Sequence, residues 1–166
     1  MSLSEIKPDA YQAVLGLEKY IRAHVDPALL HLLKLRASIL NGCAFCVDLH
    51  TTEALAEGED SRKLFAVSAW REGPFFDDKE RAALDLTDHV TRLGEHGVPD
   101  DVWDTAVEHY GTEGVADLLM VIATINVWNR LAVPTRSQPN TSQPATSQPA
   151  TSQPTSQASG SQPPTA

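Results

Sequence analysis

The sequence predicts an all-α fold in a single domain, followed by a low-complexity tail. Along most of residues 1–133, apolar side chains recur every three or four residues, as they do on one face of a helix. Proline, glycine and asparagine separate these runs. No segment alternates apolar and polar residues for long enough to predict a strand. These three observations predict a bundle of about six or seven helices.

The first part of the chain contains three predicted helices. The first covers residues 9–25, because Pro8 suits a helix start and Asp26-Pro27 ends the run. The second begins near Pro27 and stops at Asn41-Gly42, since glycine accepts the left-handed conformation that ends many helices. The third follows at once, from residue 43 to residue 57. The apolar faces of the first two carry Tyr11, Val14, Ile21 and Val25, and Leu29, Leu32, Leu33, Ile39 and Leu40.

A short helix and a longer, capped helix are predicted next. Ser61 can cap a helix over residues 64–70, and a loop follows it. Asp77 and Glu80 have the spacing of a capping box, in which each side chain accepts a hydrogen bond from the backbone of the other residue. This box predicts a helix that continues to about Leu93.

Two more helices complete the predicted domain. Pro99 suits the start of one, and Thr112 can cap a last, strongly apolar helix that reaches Leu131. In the first of these two helices, four side chains are predicted to face inward: Val102, Trp103, Ala106 and Tyr110.

The composition changes abruptly after Pro134. Ser-Gln-Pro recurs with a five-residue period from Ser137 onward. Arg136 is the only charged residue between Pro134 and the last position. A segment with so little apolar surface cannot offset its chain entropy. The sequence therefore predicts a helical domain over residues 1–133 and a disordered Ser/Thr/Gln/Pro-rich tail over residues 134–166.

The charge and hydropathy of the chain restrict its partners. A net charge of −9 disfavours nucleic acid and anionic membranes. No apolar run approaches the ~18 residues of a transmembrane helix, and the first residues lack the apolar core of a signal peptide. We therefore expect a cytoplasmic protein, in a compartment where cysteines stay reduced unless they cycle.

Both cysteines of the chain lie in one motif, Cys43-Ala-Phe-Cys46-Val-Asp-Leu-His50. Residues three, four and seven apart share one face of a helix, so Cys43, Cys46 and His50 would form a single column. A helix N-terminus and a neighbouring imidazole both favour the thiolate, which is the reactive form of cysteine. A second cysteine one turn away can capture a sulfenic acid as a disulfide. The motif therefore predicts redox chemistry.

Two other interpretations of the motif fit less well. A structural zinc site needs four ligands, and neither a second CxxC nor a closely spaced histidine pair follows; both cysteines, His50 and a distant histidine remain the alternative. A thioredoxin-type motif follows a strand, whereas the residues before Cys43 are predicted to be helical. No GxGxxG, P-loop or CxxCH motif is present. We therefore predict neither a cofactor nor a metal ion.

Residues 33–54 resemble the alkylhydroperoxidase D-like proteins of the carboxymuconolactone decarboxylase superfamily. Residues 70–72, 80–84 and 125–131 resemble the same family, so the likeness covers about residues 5–133. The resemblance implies an all-α fold that assembles into homo-oligomers, commonly trimers or hexamers. It also implies a peroxidase whose partners are a small hydroperoxide and a dithiol electron donor.

The resemblance implies roles for individual residues: Cys46 as the peroxidatic thiol, Cys43 as the resolving thiol and proton donor, and His50 as the base. The family places a glutamate that activates the histidine twelve residues before the first cysteine, and here that position is His31. Two antiparallel helices that meet at residues 41–42 would bring His31 and His50 together, ~15 and ~12 Å from the turn. Glu53 is the candidate substitute carboxylate, one turn after His50. Otherwise Glu53 is a solvated surface residue and His31 a packed residue without a role.

Three functions follow from this sequence. The first is a thiol peroxidase that reduces hydroperoxides through a CxxC dithiol–disulfide cycle. The second is a non-enzymatic, oligomeric redox sensor in which the disulfide changes packing. The third is a lactone-processing or decarboxylating enzyme of the same superfamily, and the cysteine pair argues against it because such relatives generally lack one.

Overall fold

The computed structural model describes residues 3–139 and residue 141. Within them the chain forms seven α-helices and no strand, which confirms the all-α prediction. The helices are α1 (Leu3–Ile6), α2 (Pro8–His24), α3 (Pro27–Asn41), α4 (Ala44–Ala56), α5 (Ser61–Ala66), α6 (Asp78–Thr91) and α7 (Asp100–Thr135). A 3-10 turn, Val67–Ala69, follows α5.

The helix α3 lies at the centre of the bundle and packs against α2, α4, α6 and α7. Its side chains are buried without interruption from Leu30 to Leu35, as expected for a helix enclosed on all sides. The Asp26 side chain caps it by accepting hydrogen bonds from the backbone N–H groups of Ala28 and Leu29, at 3.1 and 3.2 Å. A capped central helix gives the neighbouring helices a fixed surface.

The connection between α3 and α4 is a Schellman motif. Gly42 has φ +65°, and its N–H donates to the Ile39 carbonyl at 3.2 Å, while the Cys43 N–H donates to the Ser38 carbonyl at 3.0 Å. The predicted stop at Asn41-Gly42 is confirmed. Because this connection is so short, α4 folds back along α3 and its first residues lie against the end of α3.

The last two predicted helices are one element, α7, with a break at Gly111 (φ 67°, ψ 170°). The break falls one residue before Thr112, the predicted cap. Beyond it, buried side chains recur at helical spacing against α3 and α6: Val115, Leu118, Val121, Ile122 and Ile125. By length and composition α7 could cross a membrane, but this buried face is that of a core helix.

The capping-box prediction is confirmed, and two other local predictions are wrong. The Glu80 N–H donates to Asp77 Oδ1 at 2.8 Å and the Asp77 N–H to Glu80 Oε2 at 3.1 Å. The helix α5 covers Ser61–Ala66 rather than residues 64–70, and Asp60 rather than Ser61 caps it, because the Asp60 carboxylate accepts a hydrogen bond from the Arg62 N–H at 2.9 Å. Trp103 does not face inward but is 39% exposed, because the buried face of α7 passes through its neighbour Val102 instead.

The end of the last helix also differs from the predicted end at Leu131. The helix α7 continues through Pro134 to Thr135, because a proline in the last turn removes only one backbone hydrogen bond. Arg136, with φ +57°, ends the helix. The remainder of the predicted tail, residue 140 and residues 142–166, lies outside the described residues.

Candidate functional site

The cysteine pair occupies the N-terminus of α4. Cys43 is the N-cap residue, in an extended conformation, and Cys46 lies in the first turn, with a disulfide joining them. The Cys43 sulfur accepts a hydrogen bond from the Cys46 N–H at 3.3 Å. The helix therefore begins one residue later than predicted, because the sulfur of Cys43 caps it. Both sulfurs lie where unpaired backbone N–H groups and the helix dipole favour a thiolate.

His50 lies one turn after Cys46 on the same face of α4 and is buried. Its Nδ1 donates to Glu53 Oε2 at 3.2 Å. Burial lowers the pKa of His50 below its usual value, although the hydrogen bond that His50 donates to Glu53 opposes that change. The same hydrogen bond, together with nearby positive charge, lowers the pKa of Glu53. At neutral pH the pair is therefore a neutral imidazole beside an ionised carboxylate.

His31 reaches the same place from α3. Its ring centroid is 6.3 Å from that of His50, which confirms that the two histidines are neighbours across the helix pair. Its Nδ1 is 3.6 Å from Glu53 Oε2, and its Nε2 is 3.2 Å from Glu57 Oε1. The site thus has a carboxylate beside His50, but α4 supplies it as Glu53, whereas the family pattern would supply it from α3 at position 31.

A second buried ionic group, which the sequence analysis missed, connects α2 to the site. Lys34 is completely buried, and its ammonium donates to Glu18. Glu18 also accepts from Arg22 Nε at 3.0 Å and Trp128 Nε1 at 3.3 Å, and Arg22 lies 3.6 Å from Glu53. The signal that could have found it is Lys34 itself, a lysine between Leu33 and Leu35 in a mainly apolar helix.

The charges of this group perturb one another. Burial lowers the pKa of Lys34, while its bond to Glu18 opposes the change. Burial alone would raise the pKa of Glu18, but the hydrogen bond and charge of Lys34, with the charge of Arg22, lower it below its usual value. Glu18 is thus held ionised at neutral pH.

A cavity of about 420 Å³ opens beside the first turns of α4, and its wall is mainly apolar. Of the two cysteines, both of which the structure describes, Cys46 lines this cavity and Cys43 does not. His50 lines it too, with Glu18 and Arg22 at its polar side. The apolar wall comes from α2, α4 and the end of α7: Tyr11, Leu15, Phe45, Leu49, Trp128 and Leu131.

Amide side chains from α7 fix the end of α3 beside the cysteine turn. Asn41 Nδ2 donates to Asn126 Oδ1 at 2.9 Å and to Asn129 Oδ1 at 2.8 Å, and Asn129 Nδ2 donates to Ser38 Oγ at 3.1 Å. Because these bonds are buried or half-buried, they define the position of the turn that carries Cys43. The sequence segment 125–131 thus holds the redox motif in place.

Comparison with known proteins identifies the family to which the chain belongs. The model of the carboxymuconolactone decarboxylase family matches residues 8–89. YdfG of Bacillus subtilis, an uncharacterised protein, is 37% identical over 134 residues, which are 80% of this chain and 91% of YdfG. The chain belongs to the carboxymuconolactone decarboxylase family. YnjA of Escherichia coli, also uncharacterised, is 28% identical over 106 residues, 64% of this chain and 58% of YnjA.

Solved structures show which proteins of this fold the chain resembles. A protein of unknown function from Agrobacterium tumefaciens, described provisionally as the antioxidant defence protein AhpD, is 40% identical with a TM-score of 0.82. The match covers 84% of this chain and 97% of that one. The debrominase Bmp8, 24% identical with a TM-score of 0.73 over 82% of this chain and 74% of its own, shares the fold. This protein is an AhpD-like member of the family, as its sequence predicted.

Proposed function

We propose that this protein is a thiol peroxidase that reduces hydroperoxides through a Cys43–Cys46 dithiol–disulfide cycle. The observation that carries the proposal is that Cys46 and His50 line one apolar cavity while His50 is hydrogen-bonded to Glu53. The likeness to a protein described as AhpD supports peroxidase-related chemistry. Dehalogenation by Bmp8 shows that the same fold also serves other chemistry.

The first chemical step uses His50 as a base. The neutral imidazole accepts the proton of the Cys46 thiol, and the Glu53 carboxylate stabilises the imidazolium that forms. The thiolate then attacks the terminal peroxide oxygen, so that an S–O bond forms and the O–O bond breaks. The peroxide is reduced to an alcohol, whose oxygen takes up the proton, and Cys46 is oxidised to a sulfenic acid.

The second step closes the disulfide. The Cys43 sulfur attacks the Cys46 sulfenic sulfur, an S–S bond forms, and the sulfenic oxygen leaves as water with the Cys43 proton. The resulting disulfide is the state of the pair in this structure. A dithiol donor then returns two electrons and two protons. The cavity supports this assignment of roles, because Cys46 lines it and Cys43 does not.

His31 acts in this scheme as a positioning residue. Its Nδ1 lies 3.6 Å from the Glu53 oxygen that contacts His50, and Arg22 lies 3.6 Å from the other Glu53 oxygen. Glu53 is thus oriented from two sides. The carboxylate that the family pattern places on α3 is replaced by one on α4, so the loss of glutamate at position 31 leaves the proton relay intact.

The cavity favours organic hydroperoxides over hydrogen peroxide. Its wall consists mainly of aliphatic and aromatic side chains, and transfer of an apolar group from water to such a wall is favourable by roughly 25 cal/mol per Å². Hydrogen peroxide has no apolar group to bury. We therefore expect kcat/KM to be higher for a bulky alkyl or aryl hydroperoxide than for hydrogen peroxide.

Assembly and location are part of the proposal. Leu49 lines the cavity yet is 39% exposed, and Phe65 and Leu93 are more exposed still, so apolar surface remains to be covered. A homo-oligomer, a trimer or a hexamer, would cover it, and light scattering measures its mass. A cytoplasmic location fits a cycle that needs a dithiol donor.

The test is peroxide consumption by the full chain with several dithiol donors. The proposal expects repeated turnover with at least one donor and the loss of two titratable thiols per chain after a single dose of peroxide. Loss of the thiols without turnover under any donor would favour the redox sensor. Retention of both thiols would exclude both of these functions and favour the lactone-processing or decarboxylating alternative.

A further inference from the structure

His31 is a buried side chain whose polar atoms lack hydrogen-bond partners. It is 1% exposed, and neither ring nitrogen has a hydrogen-bond partner among the described residues. The approaches of Glu53 and Glu57 are close but lack hydrogen-bond geometry. A buried polar group left without a partner destabilises the folded state, because it has lost its hydrogen bonds to water. Such a group in a native fold needs an explanation, and a bound ion is one that would give its nitrogen a partner.

The ring nitrogen of His31 belongs to a cluster with the dimensions of a metal site. One ligand atom from each of His31, His50 and Glu53 lies within 4.8 Å of the others. Glu53 Oε2 is 3.2 Å from His50 Nδ1 and 3.6 Å from His31 Nδ1. Ligand atoms of a tetrahedral Zn²⁺ site stand about 3.3 Å apart, because each lies about 2.0–2.2 Å from the ion. Two of the three distances between ligand atoms are therefore already close to those of a tetrahedral zinc site.

We propose that His31, His50 and Glu53 bind a divalent transition-metal ion, with Zn²⁺ as the best match to two imidazoles and one carboxylate. Three protein ligands leave a fourth position open, as in zinc sites that also bind water or a substrate. The site differs from the zinc alternative considered for the CxxC motif, because it uses neither cysteine.

The surroundings of the three ligands suit a bound cation. With Nδ1 of His31 on the metal, its Nε2–H lies 3.2 Å from Glu57 Oε1, so a small rotation of this exposed side chain would give the hydrogen bond by which a carboxylate orients a metal-bound histidine. Arg22 contacts the other Glu53 oxygen, Oε1, and so leaves Oε2 to the metal. The charged groups around the site are Glu18, Glu53, Glu57, Arg22 and Lys34. Three carboxylates against two cations leave this region negative before an ion binds.

A metal at this site would block the peroxidase cycle, a consequence that rests on the proposed function. An imidazole that gives one nitrogen to a metal carries a proton on the other, so it has no free lone pair. His50 could then no longer accept the proton of Cys46, whichever of its nitrogens faces the thiol. Zinc would also occupy the Glu53 oxygen that otherwise accepts the hydrogen bond from His50. The site would thus be an inhibitory metal switch on the thiol chemistry.

The experiment measures zinc binding by calorimetry on the full chain with the Cys43–Cys46 disulfide intact, so that no thiolate can act as a ligand. Wild type should bind one Zn²⁺ per chain. His31→Gln and Glu57→Gln should each weaken binding at least about tenfold, by loss of a ligand and of the group that orients it. The control His96→Gln, in an exposed turn, should bind like wild type.

Cobalt supplies a second readout that needs no activity. Co²⁺ bound to wild type should show the intense visible absorption of a tetrahedral N/O site, and His31→Gln should lose it. Circular dichroism checks folding, and Glu57→Gln, at a side chain 47% exposed, keeps the test valid if the buried variant fails to fold. Absence of binding at millimolar zinc, or equal affinity in all variants, would overturn the site. These outcomes are independent of whether the protein turns over peroxide.

The inhibitory consequence has its own measurement. Zinc should slow the reaction of reduced wild type with a hydroperoxide, and His31→Gln should be at least about tenfold less sensitive to it. Equal sensitivity in both proteins would assign the inhibition to the cysteines and overturn the switch. If wild type shows no peroxide reaction at all, the proposed function fails while the calorimetric result stands.

Discussion

The helix α3 has two polar faces: one carries Arg36 and packs against α6, and the other carries His31 and packs against α2 and α4. Toward α6, Arg36 forms a two-bond pair with Asp88 at 2.6 and 2.9 Å, and it also donates to the backbone carbonyls of Val67 and Ser68. Asp88 accepts a further bond from Trp70 Nε1 at 3.2 Å. Toward α2 and α4, in contrast, His31 has no hydrogen-bond partner among the described residues.

This difference in hydrogen bonding indicates that one face of α3 serves the stability of the fold and the other serves its chemistry. A mostly buried charge that is hydrogen-bonded on several sides fixes the packing of two helices, and removing one of its partners is strongly destabilising. A group of titratable side chains that is close but incompletely bonded can still take up a proton, a metal or a substrate. The Arg36 face should therefore govern stability, and the His31 face should govern reactivity.

The largest effect should come from the cysteines. Cys46→Ser should abolish peroxide consumption, because the nucleophile is lost. Cys43→Ser should allow one equivalent of peroxide to react and then stall at a sulfenic acid, which dimedone traps. Stopped-flow kinetics and mass spectrometry measure both results. Undiminished turnover in either variant would contradict the peroxidase proposal. It would also contradict the assignment of reactivity to the His31 face of α3.

On the opposite face, Asp88→Asn should cost about 3 kcal/mol of unfolding free energy, a factor of roughly 100 in the folding equilibrium, because it leaves Arg36 charged and without its ionic partner in a mostly buried position. Urea denaturation measures the loss. The rate of Cys46 oxidation per folded molecule should stay at the wild-type value. A large fall in that rate with little loss of stability would reverse the division between the two faces.

Glu53→Gln should slow Cys46 oxidation about tenfold, because the imidazolium of His50 loses its stabilising carboxylate. The pH profile gives the sign of the change. His50 is active when neutral, so the rate rises with pH through its pKa, which burial already lowers. Glu53 raises that pKa toward its usual value, so removing its charge should move the rise to lower pH. A shift to higher pH would contradict the pairing.

The smallest effect should come from His31. In metal-free buffer, His31→Gln should lower the oxidation rate by roughly threefold or less, because Glu53 keeps its bond to His50 and its contact with Arg22. Stopped-flow measurement in the presence of a chelator is the appropriate assay. A loss as large as that of Glu53→Gln would show that the imidazole at position 31 is itself needed for proton transfer.

Local signals explain why much of the fold was predictable. Pro27, Gly42 and the Asp77/Glu80 pair each act on backbone groups within a few residues, so their effect does not depend on the rest of the chain. The same holds for Cys46 and His50, which share a face because both lie on α4. The errors at Ser61 and Trp103 arose where competing local choices differ by one residue and tertiary packing decides between them.

The sequence by itself therefore determined the helices, the motif and the relation of Cys46 to His50, because these follow from helical periodicity. Only the tertiary structure decided which distant side chains meet. Glu18 reaches Lys34, and Glu57 reaches His31, because α2 and α4 pack on α3 in a particular register. Register depends on the combined fit of many side chains, and no single stretch of sequence encodes it. The contact of Arg22 with Glu53, and the unpaired state of His31, are consequences of that fit.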